Sequence, residues 1–364
     1  MIVAIDVTTL RGRISGVGYY TARIVEHLAQ SVGSEVSELL LLSNGRVERA
    51  LPASARLVNG FQFPIRSVWM QFLLPLLLRK LRPDIVHYTN YLAPAVPSGA
   101  YVVSVHDMSL SRTPEHHTLR KRLLTASLVP RIARGARLVL TPSRATRLDV
   151  VEDLRIPEDR VLSIPYAAAE MFRPVEERPT DERLGQPYFL FVGTIEPRKN
   201  LVRLIDAFAA FAQEVPGVNL VLAGQRGWKC EEIYARTARA DVSGRTIILD
   251  YVSEDSLPSL YSHALACVYP SLFEGFGFPV VEAMACGTPV LTSNTTSLAE
   301  IGEGAALLVD PLDGAAIGAG LRELAANPRM REELRRKGLA RAASYSWAET
   351  GRQTLAAYRQ ALRR

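Results

Sequence analysis

A carboxylate, a glycine turn and a second carboxylate stand close together in residues 270–290, PSLFEGFGFPVVEAMACGTPV. Seven residues separate Glu274 from Glu282, and Gly275 and Gly277 follow the first of them. Glycine reaches backbone conformations that other residues avoid, and it lets a ligand approach the main chain. An apolar, helix-like run comes next, so the N-terminus of that helix can face a phosphate. Glu282, about two turns further along nearly the same helix face, can accept ribose hydroxyls. With Glu274 accepting sugar hydroxyls, the stretch suits a sugar diphosphate.

A basic pair lies upstream, in the sequence FVGTIEPRKN of residues 191–200. Arg198 and Lys199 follow an apolar run that is typical of a strand. When a bond to a diphosphate breaks, negative charge grows on the leaving group, and preorganised positive charge stabilises that transition state more than the ground state. Arginine can grip phosphate oxygens as a fork, and lysine acts as a mobile point charge. The pair therefore suits a leaving diphosphate, and two surface basic residues that open a helix are the alternative interpretation.

Both stretches resemble the retaining glycosyltransferases of family four, which have the GT-B fold. Glu274-GFGFPVV-Glu282 is similar to their E-x7-E motif, and FVGTIEPRKN to their strand with a basic loop. The resemblance implies that the basic pair holds the diphosphate, Glu274 the donor sugar and Glu282 the ribose. The implied catalytic residues are His106, Asp107, Arg198, Lys199 and Glu274. The implied donor-binding residues are Gly16, Gly18, Ser143, Gly193, Arg198, Lys199, Tyr251, Val252, Glu274, Gly275, Phe276, Gly277 and Glu282.

Three places in the first half extend the resemblance over most of the chain. The GVG sequence at Gly16 and Gly18 precedes a predicted helix and could approach the diphosphate or the acceptor, or form a plain tight turn. His106, at the end of a strand in YVVSVHDMS, would lie against the donor sugar and contribute a ring donor or a backbone carbonyl. Asp107 would orient His106 or contact the acceptor. Ser143, in TPS, matches a family position or simply caps the helix that follows.

The nucleobase is poorly specified by the sequence. Leu249–Tyr261, LDYVSEDSLPSLY, is similar to the family loop that contacts the base largely through backbone groups, and Tyr251 and Val252 are the expected contacts. The combination of VGTIEPRKN, HD and LFEGFGFP most resembles members that use GDP-mannose. Retention of anomeric configuration follows from the resemblance alone, which leaves a front-face mechanism and a covalent intermediate both open.

The order of apolar runs predicts two doubly wound α/β domains in tandem, and the resemblance implies the GT-B arrangement, in which the two domains face a central cleft. The 364 residues, 48% apolar, suffice for two cores, and short apolar runs alternate with helical stretches as in parallel sheets. We expect a Rossmann-like domain at 1–172 and a second Rossmann-like domain at 173–345 that opens with a polar linker, Arg173–Gln186. The resemblance implies that the first domain binds the acceptor, that the second binds the nucleotide sugar, and that a last helix at 346–364 returns to the first domain. The predicted strands are Ile2–Val7, Leu39–Leu42, Ile85–Tyr88, Tyr101–Val105, Leu138–Thr141, Tyr188–Val192, Asn219–Ala223, Thr246–Leu249, Ala266–Val268, Pro289–Thr292 and Ala306–Val309. The predicted helices are Tyr19–Gln30, Ser67–Leu81, Leu119–Arg134, Leu201–Glu214, Ser256–Ser262, Val280–Ala285 and Ala315–Ala326, with the last helix near Trp347–Arg363.

Charge and composition narrow the range of partners. Residues 1–172 hold 21 basic against 14 acidic residues, and nine of the basic ones fall in 112–147. A basic face attracts nucleic acid, anionic lipid or a phosphorylated substrate, and without a nucleic-acid motif we favour lipid and diphosphate over nucleic acid. An arginine-rich solvated helix is the alternative. The segment Ser67–Lys80 is either a buried helix that covers the sheet or an interfacial segment that reaches a membrane.

The residue pattern supports neither a metal site nor a secreted protein. The three cysteines and the histidines lack ligand spacing, and no Asp-x-Asp motif stands in a loop after a strand, so we expect no metal. Unpaired cysteines and an N-terminus unlike a signal peptide favour a cytoplasmic protein, with the inner face of the cell membrane as a candidate surface.

These observations favour a metal-independent hexosyltransferase that resembles mannosyltransferases and needs no cofactor beyond its nucleotide-sugar donor. We expect it to move mannose from GDP-mannose onto a glycan or polyprenyl-diphosphate-linked saccharide in the synthesis of a bacterial surface polysaccharide or exopolysaccharide. Two alternatives stay open: a GT-B phosphorylase or nucleotide-sugar epimerase, and a non-catalytic subunit that binds a sugar nucleotide. The presence of both glutamates and the basic pair argues against the second alternative.

Overall fold

The chain forms two compact units, of which the first unites Met1–Tyr166 with Ser346–Arg364 and the second is Ala167–Tyr345. Each unit is an α/β structure with its own parallel sheet. The computed structural model describes residues 1–12, 16–59, 63, 65–117, 128–239 and 241–364.

The division after Tyr166 lies earlier in the chain than the predicted boundary at 172–173. The predicted linker, Arg173–Gln186, therefore belongs to the second unit. Its polar composition suggests an independent connection, but hydrogen bonds such as that from Val175 N to Ser262 Oγ, at 3.1 Å, hold it against the unit.

Seven parallel strands form the sheet of the first unit, in the order β3-β2-β1-β4-β5-β6-β7. They are β1 Ile2–Asp6, β2 Glu38–Ser43, β3 Ala55–Asn59, β4 Ile85–Tyr88, β5 Tyr101–Ser104, β6 Leu138–Thr141 and β7 Val161–Ser163. The inner strands are short apolar runs buried on both faces, as parallel strands covered by helices on both sides must be. The helices of this part are α1 Gly16–Ala29, α2 Arg66–Val68, α3 Leu74–Leu81, α4 Ser109–Arg112, α5 128–135 as far as it is described, and α6 Arg144–Leu154.

Six parallel strands form the sheet of the second unit, in the order β10-β9-β8-β11-β12-β13. They are β8 Tyr188–Val192, β9 Asn219–Ala223, β10 Thr246–Leu249, β11 Ala266–Tyr269, β12 Val290–Ser293 and β13 Leu307–Val309. The helices are α7 Leu201–Glu214, α8 Glu231–Thr237, α9 Leu257–Ser262, α10 Phe278–Ala285, α11 Thr296–Gly302, α12 Gly314–Ala326 and α13 Pro328–Ala343. Both sheets have the doubly wound strand order, which confirms the predicted fold class.

The last helix, α14 Trp347–Arg363, packs within the first unit. A Cβ placed on Gly351 would lie 2.9 Å from the His27 Cβ, so glycine lets α14 approach α1 closely. The Tyr358 hydroxyl, also on α14, is 2.7 Å from His87 Nδ1 in β4. The C-terminal segment is therefore part of the core that supports β4.

The apolar segment predicted as one helix over Ser67–Leu81 is interrupted by a π turn at Trp69–Leu73, between α2 and α3. Trp69 is fully buried, whereas Phe72 is 68% exposed and Leu76 is 59% exposed. One side of the segment therefore covers the core and the other presents apolar side chains to solvent. No helix in the described ranges is both long and apolar enough to cross a bilayer.

The basic window at 112–147 is not a continuous positive face in the part of it that the structure describes. Arg112 forms ion pairs with Asp149, Glu152 and Asp153, and Arg147 pairs with Glu158. Arg120, Lys121 and Arg122 lie outside the described residues, as does most of the predicted helix Leu119–Arg134.

The strand order places one switch point in each sheet, between β1 and β4 and between β8 and β11. Connections leave the neighbouring strands in opposite directions there, and doubly wound sheets bind ligands outside the carboxyl ends of these strands. The residues that follow β8 and β11 are therefore the first place to look for a site.

Candidate active site

Two loops meet at the carboxyl edge of the second sheet, where β8 and β11 end. The loop after β8 turns through the 3-10 segment Pro197–Lys199, and Asn200, with a φ of +61°, leads it into α7. Asn200 Nδ2 donates to the Pro270 carbonyl at 3.0 Å, and the Leu272 backbone N–H donates to the Arg198 carbonyl at 2.9 Å. Backbone and amide hydrogen bonds therefore fix the relative position of the two loops.

The buried carboxylate of Glu274 forms the centre of this arrangement. Its Oε1 accepts hydrogen bonds from Lys199 Nζ at 2.5 Å, Ser271 Oγ at 2.6 Å and the Tyr269 hydroxyl at 3.1 Å. Its Oε2 lies 2.9 Å from Arg198 Nη1. The structure thus brings Arg198, Lys199 and Glu274, three of the predicted catalytic residues, into direct contact.

A second buried carboxylate, Glu196, orients Arg198. Arg198 Nε and Nη2 donate to Glu196 Oε1 at 3.1 and 2.8 Å, while Nη1 donates to the Phe273 carbonyl at 2.5 Å. Glu196 is 2% exposed, and its Oε2 has no hydrogen-bond partner among the atoms of the described residues. The guanidinium is therefore held in one plane by contacts on two sides.

The charges of this group determine the protonation of Glu274. Burial alone would raise the pKa of Glu274, but the charges of Arg198 and Lys199, with hydrogen bonds from Lys199 and Ser271, outweigh burial and lower the pKa to about 2. Burial and the neighbouring Arg198 charge lower the pKa of Lys199, and the carboxylates of Glu274 and Glu196 oppose that shift. Glu274 is consequently an anion at any physiological pH.

Glycines allow the close approach of backbone that the site requires. Gly224 has a φ of +159°, and a Cβ there would lie 1.9 Å from the carbonyl oxygen of Gly193, so the loops after β8 and β9 touch through their main chains. Gly277 has a φ of +119° immediately before α10, and a Cβ there would lie 2.7 Å from Leu298 Cδ2. Gly193 itself has a φ of +150°, so Gly193 and Gly277, both predicted to bind the donor, also adopt backbone conformations that favour glycine.

Gly275 and Phe276 are buried in the turn between Glu274 and α10. The Phe276 ring packs edge-on against Phe278, and Ser297 Oγ donates to the carbonyls of Glu274 and Phe276 at 2.9 and 2.7 Å. The Phe276 side chain therefore anchors the turn, and a ligand contact predicted for this residue would be through the backbone.

The prediction that Glu282 lies on nearly the same helix face as Glu274 is wrong. Glu274 precedes α10, and the left-handed turn at Gly277 separates it from the helix on which Glu282 stands. Glu282 Oε2 accepts a hydrogen bond from the Tyr261 hydroxyl at 3.1 Å. Burial raises the pKa of Glu282 to about 7, and the charge of Glu254 adds to the shift while the hydrogen bond from Tyr261 opposes it.

Tyr251 and Val252 follow β10, at the same sheet edge but two strands away from β8. They line a cavity of about 430 Å³ together with residues of the 177–184 segment. Tyr251 is 55% exposed. The cavity lies within the second unit.

The predicted ring contribution of His106 is wrong for the described arrangement, because both ring nitrogens have partners in the first unit. Nε2 is 2.7 Å from the Thr89 carbonyl and Nδ1 is 2.8 Å from the Tyr166 hydroxyl. Asp107 does not orient this ring: its Oδ1 accepts hydrogen bonds from Ser109 N at 2.9 Å and Ser109 Oγ at 2.6 Å. The backbone carbonyl of His106 is the other group that the sequence predicts for a contact with the donor sugar.

The other residues predicted for the first unit, Ser143 and the two glycines of GVG, lie at the N-terminal ends of helices. Ser143 is the N-cap of α6, with its hydroxyl accepting from Thr146 N at 3.1 Å, as the capping interpretation predicts. Gly16 and Gly18 lie inside the first turn of α1, so the interpretation of GVG as a turn ahead of the helix is wrong. The helix begins earlier because glycine, although a weak helix former, is tolerated in the first turn, where few intrahelical bonds are lost.

Three residues of the second unit that the sequence interpretation missed support the predicted ones: Glu196, Tyr269 and Ser271. The spacing of Glu196, two residues before Arg198, is a signal that could have been used, since Glu and Arg so placed can pair across a tight turn. Tyr269 and Ser271 give no such signal, because Tyr269 is the ordinary end of an apolar strand and Ser271 is an ordinary polar residue of the loop that follows. The described residues contain no group of three or more His, Cys, Asp or Glu that could hold a metal ion.

Comparison with known proteins gives consistent matches along the chain. Residues 14–167 match the family model described as Glycosyltransferase Family 4, and residues 172–341 match that of Glycosyl transferases group 1. The O-antigen chain mannosyltransferase B of Escherichia coli is 32% identical over 95% of this chain and 96% of its own length.

Solved structures show the same fold. Sucrose-phosphate synthase from Thermosynechococcus elongatus superposes with a TM-score of 0.79 at 20% identity, covering 98% of both chains. HepE of Anabaena, solved in complex with UDP and glucose, has a TM-score of 0.77 at 18% identity and covers 97% of this chain and 98% of its own.

Proposed function

The chain belongs to glycosyltransferase family 4 and has the GT-B fold, and from this premise we propose that it transfers mannose from GDP-mannose to a lipid-linked saccharide in the synthesis of a bacterial surface polysaccharide. The mannosyl group is supported by the relative from Escherichia coli, whose whole length the chain nearly covers. A nucleotide-sugar donor is supported by the solved structure that holds UDP and glucose in the same fold. Retention of configuration and a polyprenyl-diphosphate acceptor are part of the proposal.

The contact of Arg198 and Lys199 with Glu274 at the end of β8 and β11 is the observation that carries this function. In the proposed reaction the bond from the anomeric carbon to the diphosphate oxygen breaks and its electron pair leaves with the diphosphate. A bond forms from the acceptor hydroxyl oxygen to the same carbon, and the hydroxyl proton passes to the departing phosphate or to solvent. Two fixed cations at the leaving group stabilise the charge as it grows and need no reorganisation.

The other predicted residues fit the remaining parts of the donor. Glu274 would accept hydroxyls of the sugar and tolerate its positive charge as the bond breaks, and Glu282 would accept the ribose hydroxyls. The N-terminus of α10 would face the diphosphate, and the cavity beside Tyr251 and Val252 would take the base. The role of His106, which lies in the first unit, stays a prediction.

A thermal-shift screen with nucleoside diphosphates and their sugars tests the donor. A ligand that binds only the folded protein raises the free energy of unfolding, by about 2.7 kcal/mol at 100 times its dissociation constant. We expect GDP and GDP-mannose to raise the melting temperature more than UDP and UDP-glucose do. A larger shift with uridine nucleotides would contradict GDP-mannose as the donor. Release of free sugar or epimer from donor incubated without acceptor would favour the phosphorylase or epimerase alternative.

Donor affinity is expected to fall as the pH decreases through about 7. The pKa of Glu282 is raised to about 7, so the side chain becomes a carboxylate only above that pH, and the carboxylate makes the stronger hydrogen bonds to ribose hydroxyls. If only the carboxylate binds, the donor dissociation constant rises about tenfold between pH 8 and pH 6. Calorimetric titrations at several pH values measure it.

Two variants serve as controls for this pH effect. Glu282→Gln should bind donor weakly with little pH dependence over the same range. Tyr261→Phe removes the hydrogen bond that lowers the pKa of Glu282, so its transition should move to higher pH. An unchanged pH dependence in Glu282→Gln would show that another group causes it.

Chelation of divalent cations is expected to leave the transfer rate nearly unchanged. We propose metal-independent catalysis because Arg198 and Lys199 already place two positive charges at the leaving diphosphate. The measurement is a transfer assay after exhaustive EDTA treatment, with and without added magnesium or manganese. Loss of activity that either metal restores would contradict the proposal.

Anionic vesicles are expected to bind the protein, and salt is expected to weaken the binding. The side chains of Phe72 and Leu76 are exposed near the exposed Arg79 and Lys80, so apolar and basic groups occur together. Attraction between exposed charges is screened within about 10 Å at 0.1 M salt. A flotation assay compares neutral and anionic vesicles.

The double variant Phe72→Ser with Leu76→Ser should lose most of the vesicle binding. Leu312→Ser is the matched control, because it removes a comparably exposed leucine, 67% exposed, from the second unit. Equal loss in the control, or wild-type binding in the double variant, would rule out this membrane surface.

A further inference from the structure

The switch point of the first sheet brings polar side chains of two neighbouring strands together. Doubly wound sheets bind ligands at the carboxyl ends of the strands beside this point, which are β1 and β4 in the first unit. Asp6 ends β1 and Tyr88 ends β4, and the two residues stand opposite each other in parallel register. Their side chains therefore leave the same face of the sheet. Burial raises the pKa of Tyr88, and the charge of Asp6 adds to the rise, as expected for close neighbours.

Four polar side chains at this place have atoms that no hydrogen bond satisfies within the described ranges. These atoms are Asp6 Oδ2, Thr8 Oγ1, the Tyr88 hydroxyl, and Arg66 Nε and Nη2. Asp6 and Tyr88 are fully buried, and Thr8 is 5% exposed. Buried polar groups without partners cost free energy, and proteins keep such costs mainly at functional sites. Their concentration at the ligand-binding edge of a sheet therefore indicates a binding site.

The carboxylate of Asp6 has a fixed position. Its Oδ1 accepts a hydrogen bond from Thr8 N at 2.9 Å, and Thr89 Oγ1 donates to the Asp6 carbonyl at 2.8 Å. Its Oδ2 lies 3.7 Å from Arg66 Nη2, which is longer than the range of about 2.7–3.2 Å for an N–H···O hydrogen bond. A hydroxyl oxygen about 2.8 Å from both atoms would accept from Nη2 and donate to Oδ2.

The charges around this position favour a neutral ligand. An anion such as phosphate would meet the buried carboxylate of Asp6, and a cation would meet the guanidinium of Arg66. A hydroxyl group donates and accepts, so it satisfies both side chains at once. The hydroxyls of Thr8 and Tyr88 can each donate and accept as well. The group therefore complements a neutral molecule with several hydroxyls.

We propose that the carboxyl ends of β1 and β4 bind a neutral saccharide, whose hydroxyls contact Asp6, Arg66 and Tyr88. The inference rests on the proposed function for the identity of this saccharide, which is that of the lipid-linked acceptor. Arg66 is the member of the group that reaches solvent, since its side chain is 33% exposed. It begins the segment that presents Phe72 and Leu76 to solvent, which suits a saccharide attached to a lipid.

Asp6→Asn tests the site by direct binding. The probe is the methyl glycoside of a mannose disaccharide, and calorimetric titration measures its dissociation constant. Asparagine keeps the shape of the side chain and an acceptor for Thr8 N but removes the charge. We expect the dissociation constant to rise at least about tenfold, because hydrogen bonds to charged groups are the stronger ones. Equal binding by the wild type and Asp6→Asn, or no binding by the wild type, would overturn the inference.

Tyr88→Phe distinguishes a ligand site from a group that is kept for stability. The Tyr88 hydroxyl has no partner in the part of the chain that the structure describes, so its removal should leave the melting temperature unchanged or higher. The dissociation constant of the glycoside should rise about threefold to tenfold. A lower melting temperature with unchanged glycoside binding would show that buried water satisfies these groups, and would overturn the saccharide site.

Tyr358→Phe is the matched control for Tyr88→Phe. It removes a hydroxyl that is equally buried in the same unit but lies 2.7 Å from His87 Nδ1. We expect this variant to have a lower melting temperature and to bind the glycoside as the wild type does. Weaker glycoside binding in Tyr358→Phe, equal to that in Tyr88→Phe, would mean that any loss of a buried hydroxyl has this effect, and would contradict the assignment.

Arg66→Ala should also weaken binding of the glycoside about tenfold. Arg49→Ala is its control, because the Arg49 guanidinium lies 3.5 Å from Glu26 and its side chain is 32% exposed. This control should bind the glycoside like the wild type. Inorganic phosphate, added as a competitor, should not displace the glycoside from the wild type. Displacement by phosphate would show an anion site and overturn the inference.

Two further comparisons separate this inference from the proposed function. Glu274→Gln should bind the glycoside as the wild type does, because Glu274 belongs to the second unit. Loss of glycoside binding in Glu274→Gln but not in Asp6→Asn would place the saccharide in the second unit and overturn the inference. If the wild type transfers no sugar while glycoside binding depends on Asp6, the proposed function fails and the saccharide site stands. If transfer occurs and Asp6→Asn leaves the acceptor KM unchanged, the inference fails and the proposed function stands.

Discussion

Replacing Lys199 with alanine is expected to lower turnover by two to three orders of magnitude in a protein that still folds. Lys199 is 7% exposed and its Nζ touches both Glu274 and Tyr269, so its charge is fixed before the reaction begins. The loss of one preorganised group that stabilises developing charge typically costs about 3–4 kcal/mol of barrier. Arg198→Ala should show a loss of similar size. Steady-state transfer assays at saturating donor measure both.

Thermal melts must accompany these assays, because removal of one partner from a buried ion pair destabilises the fold by roughly 3–5 kcal/mol in the severe case. Arg236→Ala is a suitable control: its guanidinium pairs with Asp206 in the same unit and touches no residue of the site. An exposed pair of this kind contributes about 0–1 kcal/mol, so turnover should stay near that of the wild type. Near-normal turnover in both Lys199→Ala and Arg198→Ala would refute the diphosphate role.

Glu274→Gln is expected to reduce turnover by at least two orders of magnitude while the donor still binds. The substitution keeps the shape of the side chain but removes the anion that Arg198 and Lys199 both contact. The two cations then repel one another with Glu196 as the remaining carboxylate beside them, and the sugar loses its carboxylate acceptor, so the loss falls mainly on the transition state. Donor affinity by calorimetry and turnover by transfer assay separate binding from catalysis.

Ser271→Ala is the control for Glu274→Gln. It removes a hydrogen bond to the same carboxylate oxygen and leaves the charge in place. Its cost should be that of one hydrogen bond, about tenfold at most. Equal effects of Ser271→Ala and Glu274→Gln would show that the geometry of the carboxylate matters and its charge does not.

The sequence predicts the fold well because a doubly wound sheet depends on features that are local in the chain. Inner parallel strands are buried on both faces, so they appear as short apolar runs, and each predicted strand has a counterpart in the structure. The strands that were not predicted, β3 and β7, are the two edges of the first sheet. Edge strands are less buried: Ala55–Asn59 reads ARLVN, with a charged residue inside, and Val161–Ser163 is only three residues long.

The sequence predicts the site only where the order of the strands determines which residues meet. Arg198, Lys199 and Glu274 meet because β8 and β11 are neighbours at the switch point, which a doubly wound pattern predicts. The direction of a side chain depends on tertiary neighbours that the sequence does not reveal. The His106 ring therefore turned out to be engaged by Tyr166, sixty positions away in the chain.

The interpretation of the E-x7-E spacing shows the same limit. The spacing is compatible with a single helix, and the helix does include Glu282. Gly277, with a φ of +119°, interrupts helical geometry between Glu274 and α10. A sequence cannot show which of the two glycines, Gly275 or Gly277, adopts such a conformation. The roles of both glutamates survive as proposals, but through a loop and a helix and not through one helix face.

The most direct test of the central claim is transfer of radiolabelled mannose from GDP-mannose to a synthetic polyprenyl-diphosphate-linked saccharide, with the wild type and Glu274→Gln compared at saturating donor. The account predicts a labelled lipid-linked product whose new linkage keeps the anomeric configuration of the donor, formed by the wild type and reduced at least a hundredfold in the variant. Labelled product formed equally fast by Glu274→Gln, or a product with inverted configuration, would contradict it.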